Sequence, residues 1–107
     1  MGARETVAAL QTEKGFQAAV VEYAQLRGWL TYHTYDSRRS DPGFPDLTLV
    51  RDGRLIFIEL KSATGRLTTG QHAWLRALRK VDDRSNGAVH AYVWFPTDWP
   101  TIEDVLR

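Results

Sequence analysis

The chain has 107 residues, of which 43% are hydrophobic and 25% charged, with a formal net charge of +1. That length suits one domain with one modest core, which pairing with a second copy would help to stabilise. The near-neutral balance excludes a strongly cationic nucleic-acid coat while permitting a local basic patch, and the lack of cysteine excludes disulfides and thiolate zinc sites.

In chain order, residues 1–11 read as a loose arm. Thr12 is placed to cap a helix running to about Leu26. Phe16, Ala19, Val20 and Tyr23 form its apolar face, and Gly28 stands where a C-cap glycine belongs. Residues 29–35 (WLTYHTY) are rich in aromatic and β-branched side chains and predict a strand. Residues 36–45 (DSRRSDPGFP) predict a loop. Two short apolar runs follow, 46–50 and 55–61, around Asp52-Gly53, a strong signal for a two-residue hairpin turn. After a loop over 62–67, Thr68 and Gln71 have capping-box spacing and open a helix carried by Trp74, Leu75, Leu78 and Val81. A polar turn over 82–87 precedes a last strand over 88–95. Pro100 fits the first turn of a short helix ending near Leu106. The helix between the third and fourth strands suits a right-handed crossover joining parallel strands. The expected fold is α/β: a small mixed sheet with a helix on each face. No apolar run is long enough for a membrane span, and the opening residues lack the apolar core of a signal peptide.

The hairpin is where chemistry is expected. With Asp52 and Gly53 at its tip, Thr48 falls opposite Phe57, Val50 opposite Leu55, Leu47 opposite Ile58, and Leu49 opposite Ile56. Asp46 then falls opposite Glu59, with Cβ atoms about 4.5–5.5 Å apart. Lys61, two residues beyond Glu59, projects from the same face. A Glu-x-Lys pair alone is commonly a solvated ion pair on an exposed strand. Here the flanking Phe57, Ile58 and Leu60 are apolar, and the register adds a second carboxylate. Two like charges at the end of a buried sheet repel each other and resist desolvation. A divalent cation removes that penalty, and hard oxygen ligands suit Mg²⁺ or Mn²⁺. A nearby ammonium orients water or stabilises charge developing on a phosphate. A one-residue slip of register would send Asp46 to the other face.

Pro45-Asp46, a gap, then Glu59-Leu60-Lys61 resembles the motif of the PD-(D/E)xK nuclease superfamily, and the element order resembles its restriction-endonuclease-like αβββαβ core. Gly43-Phe44-Pro45-Asp46-Leu47, Glu59-Leu60-Lys61, Gly65-Arg66-Leu67-Thr68 with Gln71, and Glu13 with Gln17 together resemble the virus-type replication-repair nuclease domain, VRR-NUC, over roughly residues 12–106. The resemblance implies that Asp46, Glu59 and the Leu60 carbonyl are metal ligands and that Lys61 is the catalytic lysine. It also implies an acid from the first helix. Glu13 fits that position best and Glu22 is the alternative. Glu13 reads equally well as a first-turn glutamate favoured by the helix dipole. Gln71 resembles the family's helix glutamine near the active site, beside its reading as a helix cap.

Ser37, Arg38 and Arg39 precede the Pro45-Asp46 motif and Arg66 follows Lys61, so these loops are candidate phosphate contacts; each arginine reads equally as solvated surface. Arg76, Arg79 and Lys80 read as the outer face of the second helix. His33, His72 and His90 lack metal-ligand spacing. The expected activity is an Mg²⁺- or Mn²⁺-dependent endonuclease acting on DNA; that branched DNA such as a Holliday junction is the preferred substrate is what the resemblance implies. A homodimer in the cytoplasm of a bacterial or phage-infected cell is expected to carry it. The competing readings are a nuclease-like subunit that binds DNA or a partner without cutting, and a restriction- or packaging-associated nickase.

Overall fold

A computed structural model describes residues 12–35 and 40–107. The expectations for residues 1–11 and for Ser37, Arg38 and Arg39 fall outside the described residues. The elements are α1 (Glu13–Leu26), β1 (Leu30–His33), β2 (Leu47–Arg51), β3 (Arg54–Leu60), α2 (Thr69–Arg84), β4 (Val89–Trp94), a 3₁₀ turn (Pro96–Asp98) and α3 (Trp99–Leu106). The strands form one sheet in the order β1-β2-β3-β4. The first three are antiparallel neighbours, and β4 runs parallel to β3. The fold is thus α/β, a small mixed sheet flanked by helices.

Local chemistry explains the boundaries. Thr12 adopts an extended conformation and accepts a hydrogen bond from the Gly15 N–H, which starts α1. At α2 the capping box is complete: Thr68 Oγ1 accepts from Gln71 N, and Gln71 Oε1 accepts from Thr68 N. Between β2 and β3, Asp52 (φ 50°) and Gly53 (φ 77°) both take the left-handed conformation that a type I′ turn needs. That turn sets the hairpin register, and Leu47, Thr48, Leu49 and Val50 lie opposite Ile58, Phe57, Ile56 and Leu55 as the sequence predicts.

Strand alternation divides the side chains between two layers. Leu47, Leu49, Ile56, Ile58 and Leu60 meet Phe16, Val20 and Ala24 of α1 and Ile102 and Leu106 of α3, forming the main core. The opposite face carries Phe57 and Glu59 and is covered by α2, whose Leu75 is buried. Among the described residues, no helix is long and apolar enough to cross a membrane.

Near the hairpin tip a long-range clamp closes the main core. Arg51 donates to the carbonyls of Arg27 (2.8 Å), Leu106 (3.0 Å) and Arg107 (3.1 Å). Its guanidinium lies 4.4 Å from the centre of the Trp29 ring, and the Trp29 indole donates to Leu106 O at 2.9 Å. These acceptors sit at the C-terminal ends of α1 and α3, where unpaired carbonyls carry partial negative charge. Arg51→Ala is expected to cost about 1.5–3 kcal/mol, the range for hydrogen bonds to a charged group. A lower urea midpoint would show it, and an unchanged midpoint would refute it.

Candidate active site

The hairpin end opposite the Asp52-Gly53 turn holds the carboxylates. Regular pairing stops at Leu47 and Ile58, so Asp46 lies one residue before β2, opposite Glu59 near the end of β3. Thr34 extends the edge of the sheet there: its N–H donates to Asp46 O (2.8 Å), and its hydroxyl donates to Pro45 O (2.7 Å). Across the strands, Leu60 N donates to Asp46 Oδ2 at 2.8 Å. A strand residue's N–H and C=O point the same way, so the Leu60 carbonyl also faces the Asp46 side.

Glu59 and Lys61 are both buried, and Lys61 Nζ lies 3.6 Å from Glu59 Oε2. The same Oε2 accepts from Gln71 Nε2 at 2.7 Å. Gln71 therefore serves at once as helix cap and as a brace on Glu59. The other carboxylate oxygen, Glu59 Oε1, is buried without a hydrogen-bond partner. Burial, then the Asp46 charge, pushes the Glu59 pKa up to about 8, against the opposing pull of Lys61. Burial also raises Asp46, partly offset by the Leu60 N–H. Both carboxyls are thus pushed toward their protonated forms, Glu59 the further of the two.

Glycines permit this packing. Gly43 (φ 90°) lies against the first turn of α2, where an added Cβ would collide with the Gly70 backbone and stand 2.7 Å from Gln71 N. Phe44 anchors the same loop, with its ring centre 4.9 Å from that of Trp74 and 6.0 Å from that of Phe57. Gly65 closes over the lysine stem, where a Cβ would stand 3.1 Å from Lys61 Cδ. A cleft of about 210 Å³ opens beside the pair, lined by Thr34, Tyr35, Ser40, Asp41, Asp46 and Gln71.

The chain matches the VRR-NUC domain over residues 6–91. It belongs to that family. VRR-NUC is a family of nuclease domains, and the four-stranded mixed sheet flanked by helices is consistent with a nuclease-like fold. Neither the curated proteins nor the solved structures give a match.

In this VRR-NUC domain Asp46, Glu59, Lys61, Leu60 and Gln71 converge at one end of the sheet. Glu13 stands apart. It is exposed in the first turn of α1, yet near enough for its charge to raise Asp46. Among the described residues, no three Asp, Glu or His side chains cluster closely enough to hold a metal ion. Glu22 is nine residues further along α1, which at about 100° per residue puts it on the opposite side of the helix from Glu13. Arg66 is exposed on the loop after Lys61. Sequence reasoning missed the Gly43–Gly70 contact and the Leu60 N–H on Asp46. The first left a faint signal: Gly70 interrupts the first turn of a helix, where glycine is a poor choice unless something packs closely.

Proposed function

We propose that this protein is a divalent-metal-dependent DNA endonuclease with its chemistry at Asp46, Glu59 and Lys61. The observation that carries the reading is Glu59 Oε1, a buried carboxylate oxygen with no donor, facing a second carboxylate's charge beside an ammonium. Such an arrangement is costly without a proton or a cation between the carboxylates. Two hard carboxylates and an orphaned oxygen fit Mg²⁺ or Mn²⁺. Asp46, Glu59 and the Leu60 carbonyl would hold the ion, with Glu13 reaching it directly or through water. Once bound, the ion would supply Lewis acidity toward the phosphate and lower the pKa of a water.

The chain's own groups do the rest. Gln71 holds Glu59 Oε2 in place and the Leu60 N–H orients Asp46. The Lys61 ammonium orients the attacking water or stabilises charge growing on the phosphate oxygens. The new water O–P bond forms in line as the bond to the 3′ oxygen breaks, giving a 5′-phosphate and a 3′-hydroxyl. Lys61→Ala is expected to cut the rate by about 10²–10³, as loss of one preorganised charge donor does. Purified protein assayed with Mg²⁺ or Mn²⁺ on junction, flap and linear DNA tests this. Absence of cleavage on every substrate, or equal rates in Lys61→Ala, overturns it.

Branched DNA is the preferred substrate of this reading, cut in pairs by a homodimer whose two-fold axis suits a four-way junction. An exposed apolar surface supports the dimer. Leu30 and Val50 are paired on β1 and β2 and are 74% and 41% exposed, on the side of the sheet that α2 leaves uncovered there. Val81 and a shallow depression over Ala73, Trp74 and Ala77 add to it on α2. Large apolar side chains left exposed in this number fit an interaction surface. Leu30→Glu with Val81→Glu should turn a dimer into a folded monomer by light scattering and replace paired cuts with single nicks. An unchanged mass counts against this interface.

A further inference from the structure

Helix α2 carries a second feature beside the candidate site. A groove of about 440 Å³ runs along it, lined by His72, Arg76, Arg79, Lys80 and Asp83, with Leu67 from the preceding loop. The helical residues recur at spacings of three and four, so they share one flank of the helix. The sequence alone reads Arg76, Arg79 and Lys80 as the outer face of the helix; the structure adds that they line a groove with Leu67 and Leu75 as its apolar wall. Arg84, exposed at the end of the same helix, does not line it.

We infer that this groove is a track for the sugar-phosphate backbone of duplex DNA on one side of the scissile bond. The inference rests on the nuclease reading for its substrate, and its argument is electrostatic. Arg76, Arg79 and Lys80 face one carboxylate, Asp83, so the groove holds a larger positive excess than the whole chain, whose formal net charge is +1. The remainder of the molecule is slightly negative, and DNA meets net attraction here. Among the described residues, none of the three cations has an ion-pair partner within 4.0 Å. Guanidinium forks match phosphate oxygens in pairs, and Leu67 offers an apolar surface to the sugar.

Position fits the same occupant. His72 follows Gln71, the residue that braces Glu59. From Gln71 to Lys80 the helix rises about 13 Å at 1.5 Å per residue. Along a duplex that length spans about four nucleotides at 3.4 Å each. The groove therefore reaches phosphates up to about four nucleotides from the cut. Asp83 closes the far end, where a carboxylate repels the next phosphate.

Binding measured in EDTA tests the groove separately from cleavage. Fluorescence anisotropy with a labelled DNA duplex across a salt series gives the slope of log K against log salt, which loses about 0.9 for each phosphate contact removed. Arg76→Ala with Arg79→Ala and Lys80→Ala should flatten the slope by about 2–3 and weaken binding at least tenfold at low salt. Arg76→Lys with Arg79→Lys should restore most of the slope, Asp83→Asn should tighten binding, and Arg84→Ala should change little. Thermal melting confirms that each variant is folded. A wild-type slope in the triple variant overturns the inference, as does an equal loss in Arg84→Ala. A loss seen with duplex RNA and absent with DNA overturns the choice of DNA. Wild-type protein that shows the groove-dependent slope yet cuts no DNA with metal overturns the nuclease reading and leaves the groove standing.

Discussion

Glu59→Gln is expected to stabilise the metal-free protein and, in the same molecule, to lower cleavage by about 10²–10³, the scale seen when one preorganised electrostatic group is removed. The stability arm follows from the raised pKa. In the folded chain Glu59 keeps its proton up to about pH 8, whereas the unfolded chain releases it near 4.5. Between those values the folded state binds more protons than the unfolded one, so stability falls as pH rises through the window. The contribution is fully present below about 4.5 and gone above about 8. Glutamine has no such titration. It accepts from Gln71 through its carbonyl and offers its amide to Asp46, which removes the repulsion. Wild-type melting in EDTA should therefore decline between pH 5 and 8 more steeply than that of the variant. Added Mg²⁺ should raise the wild-type melting temperature at the upper end and leave the variant unmoved. A wild-type profile as flat as the variant's would remove the basis for this prediction.

Gly43→Ala is expected to be the most damaging single methyl in the described chain. The residue sits at φ 90°, which costs a side chain energy, and its Cβ would enter the backbone of Gly70 and Gln71. Backbone strain and overpacking each cost about 1–3 kcal/mol, so a loss of about 3 kcal/mol or more is expected. Cleavage should fall beyond what instability explains, because any retreat of the first turn of α2 lengthens the Gln71–Glu59 hydrogen bond. Gly53→Ala provides the comparison. Its φ is 77° but its Cβ meets nothing within 4 Å, so only about 1–2 kcal/mol of strain is expected. Urea titrations of both, with cleavage rates normalised to folded protein, separate strain from collision. Equal losses in the two variants would mean that the contact with α2 is unimportant.

Much of this arrangement was legible before any coordinates. Asp52-Gly53 determines turn type, turn type determines register, and register puts position 46 across from 59. The Thr68–Gln71 capping box and the apolar stripe of α1 were likewise readable because their partners are local. What stayed hidden depends on distant segments. Arg51 looks like an ordinary turn-flanking arginine until the ends of α1 and α3 arrive around it. Gly43 and Gly70 lie in different elements, and only the docked loop shows why both lack side chains. The sequence leaves Glu13 and Glu22 as alternatives because motif spacing does not carry helix phase; in the fold it is Glu13 whose charge reaches Asp46.

The hairpin has one more consequence. Five strand steps, from Arg51 back to Asp46 or from its partner Arg54 on to Glu59, separate the Arg51 clamp from the carboxylates by about 16–17 Å at 3.3 Å per residue. One end anchors the molecule and the other, on the function proposed above, carries the chemistry. Mutations that fortify the anchor touch nothing in the reactive end, and those that retune the reactive end leave the anchor whole. Such modularity makes the fold evolvable: the anchor supplies a reserve of stability from which an intrinsically uncomfortable carboxylate pair can be sustained while the loops around it diversify.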